Sequence, residues 1–344
     1  MTNLIELEAT VSKLAAKGKG ILAADESTAT ISKRFQAIGI ESNEDSRRAY
    51  RELLMTTPGC NQYIAGVILF EETLNQKTSQ GIPFPEALKN QGILPGIKVD
   101  KGLVHLANTV DEQVTQGLDG LAERLTEYKT KGACFAKWRA VYAISTSTPS
   151  ALAIETNAEV LARYAALCQE HGIVPIVEPE VLIDGDHTLA RCEEVSEPVL
   201  HAVFNALYRH KVKLEYIVLK PSMVINGKAC PQKASVKEVA EATLRVLKRT
   251  VPGAVPTINF LSGGQTPEQS TAHLNAMNQS GRLPWNLSFS YARALQDYAM
   301  KAWAGQPKNI SAAQAAFAKR AKLNSLAATG TYAETMEKEA VSHA

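Results

Sequence analysis

NAEVLARYAALCQEHGIVPIVEPE, Asn157 to Glu180, holds one helix, one stop and one strand. Residues 157–171 carry apolar side chains at the spacing of an amphipathic helix. Gly172 then offers the left-handed conformation that closes a helix C-terminus. Ile173–Glu180 is a short Ile/Val run without clean alternation, the pattern of a strand buried on both faces. It ends in two carboxylates, Glu178 and Glu180.

Similar runs recur along the chain at Gly20–Asp25, Ala65–Phe70, Leu94–Asp100, Cys134–Val141, Tyr216–Ser222, Ala254–Ser262 and Asn286–Tyr291. Helical patterns separate most of them, for example Ser235–Thr250, which stops before Pro252. Strand–helix repetition with right-handed crossovers produces a parallel sheet. Eight such units predict an α/β fold with one closed (β/α)8 TIM barrel. An open doubly wound sheet fits less well, because no G-x-G-x-x-G follows the first strand. The barrel is expected over residues 1–329, followed by a flexible C-terminal tail at 330–344 that is rich in Ala, Glu, Lys and Ser. Phe84–Gln91 reads equally as a short helix or an irregular loop.

Composition narrows the function. In 344 residues, 45% are hydrophobic and 21% charged, which is too apolar for a disordered chain. A formal charge of +2 supplies no global field for nucleic acid or an anionic membrane. The longest apolar run, Ile64–Phe70, is too short to span a bilayer. The five cysteines are scattered without a Cys-x-x-Cys pair, which favours a reducing compartment. Glu6 and Glu8 near the start fit a surface helix better than a signal peptide. A cytoplasmic protein is expected.

In a barrel of this kind the chemistry gathers at the C-terminal ends of the strands. Asp25 ends the first predicted strand, the third carries Lys98, and the fourth carries Lys137 and Arg139. Glu178 and Glu180 end the fifth and Lys220 the sixth; Ser262-Gly263-Gly264 ends the seventh, and Arg293 follows the eighth. Side chains alternate along a strand, so Lys137 and Arg139 share a face, as do Glu178 and Glu180. A single strand-end lysine is ordinarily solvated, and Glu-Pro-Glu is ordinarily a charged rim. Several such ends inside apolar runs call for a collective explanation, because buried charge persists only when paired.

Crowded ammonium groups lower at least one lysine pKa, and a neutral amine is the nucleophile that forms a Schiff base with a carbonyl. The iminium withdraws electrons and allows a nearby carbon–carbon bond to break or form. Neighbouring carboxylates can move the protons this requires. The remaining lysines offer charge to a phosphate or an oxyanion. A glycine turn at 263–264, followed by a helix with Thr266 as cap, Pro267 at its first position and Gln269 closing a capping box, suggests a phosphate site. Metal chemistry is not expected: the seven histidines show no H-x-x-x-H or H-x-H spacing, and His187, among Asp184, Gly185 and Asp186, reads as a surface turn residue. Trp138 is predicted to face an outer helix.

These blocks together make the sequence resemble class I fructose-bisphosphate aldolases. The stretches that carry the resemblance are Gly20–Ser27, Gly96–Gly102, Phe135–Arg139, Pro175–Glu180, Leu219–Pro221, Phe260–Gln265 and Ser288–Tyr291, and it extends to about Tyr332. The resemblance implies that Lys220 forms the Schiff base with fructose 1,6-bisphosphate or dihydroxyacetone phosphate. It assigns Glu178 the carbinolamine proton transfers and Asp25 the proton of the substrate hydroxyl. Lys137 stabilises charge, held by Glu180. Ser262, Gly263, Gly264, Ser290 and Arg293 match the family's carbon-1 phosphate positions, and Ser27, Arg34 and Lys98 the carbon-6 side; Arg139 joins the binding set. The family also implies no metal or cofactor, a cytosolic homotetramer, and a place in glycolysis and gluconeogenesis. A related aldolase for sedoheptulose 1,7-bisphosphate or fructose 1-phosphate, or a non-catalytic scaffold, is the alternative.

The chain departs from the family in three ways. Ala29 and Ala292 stand where Gly is common, and Ala292 is costly if its φ must be positive. Thr30 replaces a Ser. The terminal tyrosine of familiar eukaryotic members is missing: the sequence ends Val341-Ser-His-Ala344, with Tyr332 its last tyrosine. Carbanion protonation is therefore expected to use another group or to be slow, with His343 a candidate group. Ser-His-Ala is not the Ser-Lys-Leu address, in keeping with the cytosol.

Overall fold

The computed structural model of the protein describes residues 2–338. Its strands are β1 (Gly20–Ala24), β2 (Ile64–Leu69), β3 (Leu94–Lys98), β4 (Leu103–His105), β5 (Gln113–Thr115), β6 (Phe135–Tyr142), β7 (Val174–Val181), β8 (Val218–Leu219), β9 (Thr257–Phe260) and β10 (Asn286–Tyr291). Eight of them close a parallel barrel in the order β1-β10-β9-β8-β7-β6-β3-β2. β4 and β5 form a separate antiparallel hairpin after β3. The predicted (β/α)8 barrel is therefore the fold.

Local sequence accounts for most boundaries. The helix Ala151–Glu170 begins where Ser150 accepts a bond from the Ala153 N–H, earlier than the predicted Asn157, and Gly172 follows its end at φ +69°. Ser235 and Glu238 form a reciprocal capping box at the start of Val236–Thr250. Phe84–Asn90 is helical, with a proline in its first turn. The sixth predicted strand shortens to β8, with a 3-10 turn at Leu214–Tyr216 in place of its start. Lys220 still donates its N–H to the Val177 carbonyl (2.8 Å), but Pro221 has no N–H with which to continue the ladder.

Inward-facing positions change character along each strand. Ile21, Ala23, Ile68, Phe135, Val174, Ile176 and Val218 form an apolar cluster at the N-terminal end. The helix Thr2–Leu14 plugs that end with Leu7, Val11 and Leu14. Room for the Phe135 ring comes from two glycines: a Cβ on Gly66 or Gly96 would lie 2.9 or 2.2 Å from it. Further along the same strands the inward residues are Asp25, Lys98, Lys137, Glu178 and Lys220. The outward residues pack beneath the helices; Trp138 lies 5.4 Å, ring to ring, from Tyr164 on Ala151–Glu170, as predicted.

The tail does not leave the barrel at Gly330. Tyr332 is buried, its N–H donates to Asn275 Oδ1 (3.1 Å), and its hydroxyl donates to Glu337 Oε1 (3.1 Å). Glu337 also accepts two bonds from the buried Arg320 (2.6 and 2.7 Å), which fixes the turn Glu334–Lys338. Tyr332 and Glu337, within the stretch expected to be flexible, thus make defined contacts with the barrel helices. The flexibility expected of residues 339–344, and the candidate role of His343, lie outside the described residues.

Candidate active site

The C-terminal mouth of the barrel encloses a cleft of about 340 Å³. Four buried ionisable side chains form its floor. Lys137 Nζ lies 3.0 Å from Asp25 Oδ2 and 3.1 Å from Glu178 Oε2; Lys220 Nζ lies 3.4 Å from Glu178 Oε1. Glu178 therefore bridges two lysines on neighbouring strands. Alternation explains the convergence: β6 turns Lys137 inward between the outward Ala136 and Trp138, and β7 does the same for Glu178.

The electrostatics separate the two amines. Burial works against the Lys137 ammonium, but Asp25 and Glu178 overcome it and hold this lysine above its ordinary range. Burial also disfavours the Lys220 ammonium, and the nearby positive charge of Lys137 adds to the effect; the opposing pull of Glu178 leaves the pKa lowered. Burial alone would raise the Asp25 pKa, yet Lys137 and Lys220 bring it down to about 2. The site thus holds one fixed cation, one carboxylate ionised at neutral pH, and one amine biased towards its neutral, nucleophilic form.

Around this floor lies a rim suited to anions. Ser262 and Gly263 stand on the turn after β9, with Gly263 at φ +51° and Gly264 at φ +82°, conformations a side chain adopts at a cost. The helix Pro267–Gln279 follows, with Thr266 and Gln269 in the predicted capping box. Ser290, Ala292 and Arg293 come from the end of β10, and the buried Ser290 hydroxyl has no hydrogen-bond partner among the described residues. Ser27 and Lys98 line the opposite side, where Lys98 lies 3.2 Å from Asp100.

Most residues expected from sequence meet in this cleft, with informative exceptions. Glu180 does not hold Lys137. It pairs with Arg139, one step further out on the same two strands, and Lys137 takes Asp25 and Glu178. Arg34 stays off the cleft wall, held by Glu26 and Asp297. Gly264 also lies off the wall, under Lys228, whose Cε would be 2.8 Å from a Cβ at that position. Ala292 has φ −100° and Ala29 sits within a helix, so the positive-φ penalty considered for Ala292 does not arise. His187 is buried rather than on a surface turn. Among the described residues, no group of three or more His, Cys, Asp or Glu is placed to hold a metal ion.

Glu26, Thr30 and Asp100 also line the cleft, and the sequence reading gave them no role. Asp100 had a signal: it follows Lys98 by two residues within the predicted strand Leu94–Asp100, where alternation puts both on one face, although β3 itself ends at Lys98.

The chain matches the profile of the family described as fructose-bisphosphate aldolase class-I over residues 6–344. It is 57% identical over 328 residues to a probable fructose-bisphosphate aldolase class 1 of Xanthomonas campestris, covering 95% of this chain and 98% of that one. Identity is also 57% over 328 residues with the cytoplasmic isozyme of fructose-bisphosphate aldolase from Spinacia oleracea, covering 95% and 92%. A solved fructose-bisphosphate aldolase of Plasmodium falciparum superposes with a TM-score of 0.95 at 49% identity, covering 97% of this chain and 96% of the other. With the closed barrel and the lysine–carboxylate floor at its mouth, these matches establish that the chain belongs to the class I fructose-bisphosphate aldolase family.

Proposed function

We propose that the protein cleaves D-fructose 1,6-bisphosphate reversibly to dihydroxyacetone phosphate and D-glyceraldehyde 3-phosphate through a Schiff base on Lys220, as a glycolytic and gluconeogenic lyase. The observation that carries this reading is the buried Lys220 amine, depressed in pKa and 3.4 Å from Glu178. The Nζ lone pair adds to the ketone carbon, and Glu178 gives a proton to the departing hydroxyl, so that water leaves and an iminium forms. Asp25, ionised above a pKa of about 2, takes the proton of the substrate hydroxyl as the bond between the carbons alpha and beta to the iminium breaks. The electron pair passes into the iminium to give an enamine, and the aldehyde departs. Protonation of that carbon and hydrolysis release the second product and restore the amine.

Lys137 stays cationic throughout and offsets charge that builds between Asp25 and Glu178. Arg139, oriented by Glu180, adds positive charge at the rim. Ser262, Gly263, Ser290 and Arg293 would bind one phosphate, and Ser27 and Lys98 the other, which suits a sugar phosphorylated at both ends. Among the described residues no helix is long and apolar enough to cross a membrane. Family membership supports a homotetramer in the cytoplasm.

Borohydride trapping with dihydroxyacetone phosphate, read by peptide mass spectrometry with and without EDTA, tests the mechanism. An EDTA-insensitive adduct on Lys220 is expected; a folded protein without that adduct overturns it. Comparing kcat/KM for fructose 1,6-bisphosphate, sedoheptulose 1,7-bisphosphate and fructose 1-phosphate then tests the substrate.

A further inference from the structure

We propose that Glu26 is a positioning residue for the bond-cleavage step: gripped by Arg34 and Arg51, it fixes the Asp25–Ser27 peptide so that Asp25 meets Lys137. This inference rests on the functional reading given above, in which Asp25 acts on the substrate and Lys220 carries it.

The argument begins with where the ladder stops. β1 pairs with β2 as far as Ala24 and Leu69, so Asp25, Glu26 and Ser27 lie beyond the last strand pair. Arg51, on the helix Glu44–Met55, donates one nitrogen to both the Glu26 carbonyl (3.0 Å) and its carboxylate (3.3 Å), and the other to Thr73 Oγ1 (2.9 Å). Arg34 takes the second carboxylate oxygen of Glu26 and donates as well to Gln296 Oε1 and Asp297 Oδ1, both at 3.1 Å. Gln296 in turn donates to the Ala23 carbonyl (2.6 Å) and accepts from the Tyr50 hydroxyl (3.0 Å).

Two backbone carbonyls at the end of β1, those of Ala23 and Glu26, are thereby tied with the Glu26 carboxylate to four helices. The groups facing Glu26 are Arg34, Arg51, Asp297 and Tyr50, and the two cations balance the two carboxylates. Arg51 and Glu26 are almost wholly buried, at 2% and 8% side-chain exposure, so neither charge is tolerable without the other. A barrel strand could be closed off more cheaply with apolar residues. What the network adds is a rigid support directly behind Asp25 and Ser27, two residues of the cleft wall, and a side chain held by packing and hydrogen bonds is what a reacting group requires.

The test uses Glu26→Gln and Glu26→Asp in the full chain, with three readouts: bisphosphate cleavage, borohydride trapping of dihydroxyacetone phosphate on Lys220, and Tm. In Glu26→Gln, cleavage kcat should fall about 10- to 100-fold while trapping stays within about twofold, since only Asp25 is displaced. The acid limb of the cleavage profile should move to higher pH, because Asp25 without its contact to Lys137 takes up a proton more readily. Glu26→Asp keeps the charge balance but withdraws the carboxylate by one methylene, and it should show the same split even if Glu26→Gln does not fold. Trapping and cleavage falling in parallel would reduce Glu26 to a stability role and overturn the proposal, as would folded variants with unchanged cleavage. If the wild-type protein itself gives no adduct, it is the functional reading that has failed.

Discussion

The two ends of the barrel are made from the same strands and solve opposite problems. At the N-terminal end Ile21, Phe135, Val174, Ile176 and Val218 meet the plug formed by Thr2–Leu14, and burial there is apolar on every side. At the C-terminal end the next inward residues are Asp25, Lys137, Glu178 and Lys220, equally buried and all ionisable. The apolar end lowers the free energy of the fold. The charged end raises it unless its members pair, and they pair incompletely: Lys220 has one carboxylate at 3.4 Å and shares it with Lys137. Stability is concentrated at one end, and an amine left short of charge compensation is presented at the other.

This contrast breaks first at Lys220. Lys220→Met should remove borohydride trapping and lower bisphosphate cleavage by about 10^4-fold or more, with the protein still folded. Val218→Ala, one inward step below, should instead cost about 1–3 kcal/mol of stability with kcat per folded molecule intact, measured by urea denaturation and initial rates. Asp25→Asn should lower cleavage by about 10^2- to 10^4-fold yet retain trapping of dihydroxyacetone phosphate on Lys220. If trapping is lost as well, the division of labour between Asp25 and Glu178 is wrong.

A pH experiment sharpens the comparison in the wall behind the Ser262–Gly264 turn. His273 Nδ1 sits 2.6 Å from Gln265 Oε1, and burial lowers its pKa to about 4. An unfolded imidazole titrates near 6.5, so the unfolded chain takes up its proton first. The stability that neutral His273 contributes is complete above pH 6.5 and is lost as pH falls towards 4, about 3 kcal/mol in all. Urea denaturation between pH 7 and 4 should show this slope, and His273→Gln should flatten it. At the apolar end, Gly96→Ala should lower stability by about 1–3 kcal/mol through overpacking against Phe135, with kcat per folded molecule preserved. Restoration of Tm by Phe135→Leu in the same chain would tie the loss to that ring.

Legibility in the sequence followed how local the cause was. Asn286–Tyr291 is a strand at the bounds its apolar run predicts, and Thr266–Gln269 caps a helix as its spacing predicts, because both depend on a few consecutive residues. Lys220 and Glu178 were legible for the same reason: each ends an apolar run at the mouth of a barrel. The position of Arg34 off the cleft wall was not legible, because its partners Glu26, Gln296 and Asp297 come together only when the helices Thr28–Gln36 and Arg293–Trp303 are brought side by side by the closed barrel. The docked tail was hidden in the same way. A weakly apolar segment gives no sign that a buried arginine on a distant helix will receive Glu337.

The sequence by itself determined the eight barrel strands, the face each side chain takes, and which strand ends carry charge, since period and turn chemistry are read within a few residues; the β4–β5 hairpin was not among them. Tertiary structure alone decided who pairs with whom. In the β6–β7 register Lys137 lies opposite Ile176 and Arg139 opposite Glu178, yet each cation reaches the carboxylate two residues further along: Lys137 takes Glu178, and Arg139 takes Glu180. Strand tilt in a closed barrel sets that diagonal. Asp25, separated from Lys137 by 112 positions in the chain, completes the cluster only once the barrel has closed.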